Sequence, residues 1–93
     1  MGALMLHEND NVATTLADLK AKTVVEVGKE KLLKVTLAED IPYGFKFAVF
    51  FIGRGEPIVK YGEVIGRATE DIQQGCLVHV HNVEGQRARG DLQ

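Results

Sequence analysis

The sequence predicts a mainly-β fold of short strands joined by tight glycine turns. One observation is a corner motif that occurs four times: Asp18-Leu19-Lys20-Ala21-Lys22, Asp40-Ile41-Pro42-Tyr43-Gly44, Phe51-Ile52-Gly53-Arg54-Gly55 and Asp71-Ile72-Gln73-Gln74-Gly75. Each copy places an apolar residue two positions along and a turn residue at the end. Three of the four end on glycine, which reaches φ > 0 at little steric cost. Lys22 breaks the pattern, so that turn is either longer or holds a lysine at a strained angle. The second observation is that the segments between corners are short, β-branched or alternating, as half-buried strands are.

Taken in order, Asn9-Asp10-Asn11 reads as a turn. From Ala13 to Ala21 the signals conflict: Val12, Leu16 and Leu19 fit one helical face, but Thr14-Thr15 favours a strand, and strand is the expectation. Thr23 to Val27 and Leu32 to Leu37 read as strands around a charged hairpin tip, Lys29-Glu30-Lys31. Phe45 to Ile52 is apolar without helical period. Tyr61-Gly62-Glu63-Val64-Ile65-Gly66 reads as an irregular crossover between strands. Leu77-Val78-His79-Val80-His81 alternates and reads as a strand. The domain is expected over 1–84, with a polar tail over 85–93 that carries Arg87 and Arg89.

At 93 residues the chain fits one domain. A chain this short buries roughly 60–65% of its unfolded surface. Its core is thin and leaves no room for a deep private active site, which favours a partner-dependent module. The net charge of −2 gives no basic face for nucleic acid. The single cysteine, Cys76, cannot form an internal disulfide and reads as a structural residue at a strand edge. No apolar run approaches a membrane span. The first residues lack a signal-peptide pattern, and Leu6 breaks the myristoylation motif that Met1-Gly2 begins. Cytoplasmic location is the expectation.

Several side chains are candidates for chemistry. On a strand, His79 and His81 would share one face about 7 Å apart, with Val78 and Val80 on the other. Such a pair can share a metal, bind an anion or act on a substrate, or be no more than a wet strand face. His7 lies far away in sequence and joins the pair only if the first and last strands meet. Lys60, beside Tyr61-Gly62, is a candidate carboxylate or phosphate binder or a plain surface lysine. Lys46 sits on the face opposite Phe45 and Phe47. No nucleophile motif, phosphate loop, CxxC or zinc spacing occurs.

Four blocks together carry a family resemblance: Leu6-His7 with Asp10-Asn11-Val12-Ala13; Asp40-Ile41-Pro42 with Gly44, Lys46, Phe47 and Ala48; Pro57 to Thr69; and Val78-His79-Val80-His81-Asn82-Val83-Glu84. The tail Arg87-Ala88-Arg89-Gly90-Asp91 is similar as well. Over nearly the whole chain these resemble the small subunit, or N-terminal domain, of the altronate/galactarate dehydratase family, and sulfolactate sulfo-lyase small subunits share much of the pattern. The resemblance implies an SAF-type β-clip fold. Lys22, and Phe50-Phe51 where an acidic residue often sits, are departures that bear on turn shape.

The resemblance further implies a hydro-lyase of hexuronate catabolism. Such an enzyme removes the proton α to a carboxylate, expels the β-hydroxyl as water and leaves a 2-keto-3-deoxy acid. The chemistry needs a base, an acid for the leaving group and a cation for the enediolate. By resemblance, His79 and His81 become catalytic candidates, with metal binding as another role for the pair. Asn82 becomes an orienting or substrate-bonding amide, Lys60 and Lys46 carboxylate holders, and His7 and Asp10 further substrate-binding candidates. A divalent metal, iron or magnesium, is expected mainly on a large subunit, the implied partner. The isolated chain is expected to be inactive, as a stand-alone small subunit or an excised domain. The alternatives are a non-catalytic carbohydrate-binding or assembly module and a sulfolactate sulfo-lyase small subunit. Self-association is a further option for a thin-cored chain with exposed strand edges.

Overall fold

In the computed structural model, residues 2–28 and 31–85 are described. They form nine short strands and no helix: β1 Ala3–Leu4, β2 Val12–Thr15, β3 Val24–Val27, β4 Leu33–Thr36, β5 Lys46–Ala48, β6 Pro57–Lys60, β7 Glu63–Ala68, β8 Leu77–Val78 and β9 Val83–Gly85. The SAF-type β-clip expected from the sequence is the fold observed. The tail residues Arg87 and Arg89, and the Lys29-Glu30 part of the expected hairpin tip, lie outside the described residues.

A four-stranded antiparallel sheet in the order β1-β2-β5-β8 lies at the centre. Side chains alternate across it, and both faces are covered. Ala13 and Phe47, which are cross-strand partners, point into one core with Val25, Val27, Val35 and Leu37 of the β3–β4 region. Val12 and Ala48, also partners, point into the other with Ile58, Ala68 and Val78, below the β6-β7-β9 sheet. Phe47 on the central strand is fully buried. Its truncation to alanine is expected to cost about 3–5 kcal/mol, from the lost burial and the cavity left in the first core.

The four corners pair in space as 1 with 2 and 3 with 4. Leu19 bridges Ile41, and Ile52 bridges Ile72, each antiparallel. Every corner closes the same hydrogen bond: Thr23 N–H to Lys20 O, Phe45 to Pro42, Glu56 to Gly53, and Cys76 to Gln73. The third residue of each turn has positive φ: Lys22 at 74°, Gly44 at 82°, Gly55 at 87° and Gly75 at 87°. The second residue of each does not, which is the type II turn geometry. Lys22 therefore takes the strained angle rather than a longer turn. Asp18 and Asp40 cap reciprocally: Tyr43 N–H donates to Asp18 Oδ1 and Ala21 N–H to Asp40 Oδ1, both at 2.8 Å. In the other pair Arg54 N–H donates to Asp71 Oδ1 at 2.8 Å, and Phe51 supplies no return cap.

Three expectations are corrected. The strand in Phe45 to Ile52 is only Lys46–Ala48, after which the chain turns toward the third corner. The supposed crossover at Tyr61 to Gly66 is a tight hairpin, with Lys60 opposite Glu63 and both Tyr61 (φ 56°) and Gly62 (φ 78°) left-handed, a type I′ loop. The register then skips Ile65 between Val64 and Gly66, a bulge. The third correction concerns the histidines.

A lysine pair and a histidine turn at the end of the central sheet

On β5, Lys46 lies between Phe47 and Phe45 but points the opposite way, as the alternation predicts. Its cross-strand neighbours are Thr14 on β2 and Val78 on β8. That face is filled by Val78 opposite Lys46 and by Val12 and Ala48 further along, and Lys46 is half-buried. Burial, joined by the positive charge of Lys60, lowers the Lys46 pKa from the ordinary lysine value. Lys60 is at the end of β6, with its Nζ 4.9 Å from the centre of the Tyr61 ring. Neither lysine has a hydrogen bond or an ion pair among the described residues; the one salt bridge there joins Lys20 to Asp40.

What brings Lys60 to this place is the Asp10-Asn11 turn. Asn11 acts as a substitute strand: its N–H donates to Val59 O, its Oδ1 accepts the Val59 N–H at 2.8 Å, and its Nδ2 donates to Pro57 O at 2.9 Å. This fastens β6 beside the start of β2. Asp10 is 1% exposed. Its Oδ1 accepts the Gly62 N–H at 2.8 Å and its Oδ2 the His7 N–H at 3.3 Å. A buried carboxylate so occupied fixes the hairpin tip. His7 packs its ring on Gly62, where an added Cβ would stand 2.8 Å from His7 Cδ2. The Asn9 N–H donates to His7 Nδ1 at 3.1 Å and holds the ring there. Lys46, Lys60, Asp10 and His7 thus belong to one connected region.

The histidine strand does not form. β8 ends at Val78, and His79-Val80-His81-Asn82 is a turn closed by the Asn82 N–H to His79 O bond. The cause is the Asn82 side chain. It is 4% exposed, its Oδ1 accepts the His79 N–H at 2.9 Å, and its Nδ2 donates to Leu77 O at 2.8 Å. It captures the backbone groups that a continuing ladder would need. Asn82 thereby fixes the backbone of the turn that carries His79 and His81. His79 is half-buried with its ring 4.6 Å from that of Phe45, on the side of the sheet away from Lys46. Val80, at 81% exposure, and His81 form the solvent-facing tip. The two imidazoles therefore do not share a strand face.

Among the described residues, no group of three or more His, Cys, Asp or Glu side chains is placed to hold a metal ion. By themselves His79 and His81 offer two imidazoles, short of the three or more protein ligands that a zinc-type site uses. Cys76 is half-buried beside the second core, and burial followed by Glu39 pushes its thiol pKa up, which suits a structural residue. No helix among the described residues is long and apolar enough to cross a membrane. Sequence reasoning missed Asn11, Phe45 and the left-handed Tyr61. An Asn-Asp-Asn run and a Tyr-Gly pair between apolar stretches were the available signals.

The paired type II corners and sandwiched central sheet define an SAF-type β-clip domain. The chain belongs to the altronate/galactarate dehydratase SAF domain family, which matches residues 1–86. It is 44% identical over 82 residues to altronate dehydratase of Escherichia coli, covering 88% of this chain and 16% of that protein. It is 35% identical over 82 residues to altronate dehydratase of Bacillus subtilis, again 16% of its length. It is also 37% identical over 54 residues to (2R)-sulfolactate sulfo-lyase subunit alpha of Paracoccus pantotrophus, covering 58% of this chain and 81% of that subunit. The chain thus spans about a sixth of the dehydratases it matches and most of that separate subunit.

Proposed function

We propose that this domain is the small component of a cytoplasmic sugar-acid hydro-lyase, and that it holds the substrate carboxylate between Lys46 and Lys60. The observation that carries the reading is the pair itself. Lys46 and Lys60 are both half-buried, the charge of Lys60 acts to lower the Lys46 pKa, and among the described residues no acidic side chain pairs with either. Such an arrangement lacks an anion, and a hexonate or hexarate carboxylate supplies one. Holding the carboxylate there draws electron density from the α-carbon and stabilises the enediolate formed when the α-proton leaves. A larger polypeptide completes the site and supplies the remaining groups. His81, on the exposed tip that Asn82 fixes, is the proton-transfer candidate best placed to meet it, and His79 is its half-buried companion.

A second reading is a (2R)-sulfolactate sulfo-lyase subunit. It is favoured by the match to most of a subunit of that name. The same lysines would then hold a carboxylate or sulfonate.

The test is steady-state kinetics of the complex with its larger partner, using altronate, galactarate and sulfolactate. Lys46→Ala and Lys60→Ala are each expected to raise KM by about tenfold or more, the loss of one charge-assisted hydrogen bond. His81→Ala is expected to lower kcat. Unchanged KM in both lysine variants contradicts the carboxylate role, and unchanged kcat in His81→Ala removes the catalytic one. The preferred substrate separates the two readings.

A further inference from the structure

A groove of about 610 Å³ opens beside β1, with Met5, Leu6, Leu33 and Phe50 as its apolar lining and His7 and Lys31 among its polar residues. Leu6 and Phe50 are nearly half exposed, and Phe51, next along the chain, is 53% exposed. Consecutive exposed aromatic residues are costly in water unless something covers them. Phe51 also breaks the chain's own rule. It stands where Asp18, Asp40 and Asp71 each cap a backbone N–H of the paired corner, and by the same relation an aspartate there would cap Gln74. The chain gives up a hydrogen bond at this position and shows an aromatic ring instead.

We propose that this groove, with Phe50 in its lining and the exposed Phe51 next along the chain, is the docking surface for the larger catalytic polypeptide, which seats apolar side chains against Leu6 and Phe50. The inference rests on the reading of the chain as a hydro-lyase component and names the face that meets the partner. Two facts select this occupant over a second copy. The dehydratases matched by this chain devote only 16% of their length to the matching segment, so five-sixths of the polypeptide lies outside it. In addition, His7 is shared: it lines the groove and packs on Gly62, at the tip that carries Lys60. A polypeptide seated here is brought beside the lysine pair that lacks an anion.

The experiment uses the full chain and, as probe, E. coli altronate dehydratase lacking the 82-residue segment that matches it, prepared so that it rebinds its own segment. Titration calorimetry is expected to show binding of the wild-type chain, weakened about tenfold or more by Phe51→Asp and by Phe50→Ser. Phe51→Asp restores the corner pattern and is expected to melt no lower than wild type, which separates a lost interface from a lost fold. Lys46→Ala is expected to bind the probe within about twofold of wild type, since its ammonium is not in the groove. Failure of the lysine reading thus appears as unchanged KM with docking intact. Wild-type-like binding by both phenylalanine variants overturns the proposal. So does absence of binding by the wild-type chain, or sedimentation showing Phe51-dependent self-association without the mixed complex.

Discussion

The two pairs of corners are built on one plan and depart from it differently. In the first pair, Asp18 and Asp40 cap each other's turn, yet Lys22 sits at φ 74° where the other three corners have glycine. In the second pair both turns have glycine, yet only Asp71 caps, because Phe51 has replaced the return carboxylate. Both pairs keep the apolar bridge, Leu19 to Ile41 and Ile52 to Ile72, and the same turn hydrogen bonds. The buried bridge and the backbone ladder are therefore the common frame. A cap or a turn glycine is an increment that one corner can lose. Phe51 gives up its increment and leaves an exposed ring, while nothing in the structure explains Lys22.

The largest test of that comparison is at Gly75 against Gly55, which share φ 87°. A Cβ on Gly75 would stand 2.2 Å from Thr36 O, where the fourth corner packs on the end of β4, whereas a Cβ on Gly55 meets nothing within 4 Å. Gly75→Ala is expected to cost roughly 4 kcal/mol, strain plus overpacking, and Gly55→Ala about 1–2 kcal/mol from the angle alone. Urea midpoints read the difference, and equal losses would mean that the corners do not differ in packing.

A smaller effect separates strain from capping. Lys22→Gly removes about 1–2 kcal/mol of left-handed strain and adds about 0.5–1 kcal/mol of glycine entropy, for a net gain of about 0.5 kcal/mol. The same urea series checks it, and a loss of stability would show that Lys22 makes a compensating contact.

The smallest effect is one of sign. Lys46 is charged in the unfolded chain up to its ordinary pKa of 10.5 and loses its proton earlier in the folded one. Between the two values the unfolded state binds more protons, so stability rises with pH through that window. Below it the cost of the half-buried charge is fully present. Lys46→Met is accordingly expected to be more stable than wild type at neutral pH, the advantage shrinking as pH rises toward 10.5. Melting curves of both proteins across that range check it; an advantage that grows with pH would refute the assignment to burial.

The corners were legible in the sequence because a type II turn constrains residue type at fixed spacing, which leaves a repeat. The lysine face was legible too, since Phe45-Lys46-Phe47 alternates through a genuine strand. The His79 to His81 stretch misled because its alternation continues past the point where Asn82 takes over the backbone groups of Leu77 and His79. Periodicity has no means of registering a side chain that ends a ladder. Tyr61 misled because a tyrosine at φ 56° is uncommon, and only the Asp10 carboxylate on Gly62, far away in sequence, shows what holds the tip. The burial of Asp10 was hidden for the same reason, since it depends on contacts between residues 10 and 62.

The central claim is that Lys46 and Lys60 form a cationic pair that lacks an anion. Carbon-detected titration of lysine side chains in the full chain, with Lys46 assigned through Lys46→Arg, tests it most directly. Lys46 is expected to titrate below 10.5 in the free protein and to move upward when galactarate is added, with the shift lost in Lys60→Ala. A Lys46 that titrates at the ordinary lysine value, or one that saturating sugar acid leaves unmoved, would contradict the account.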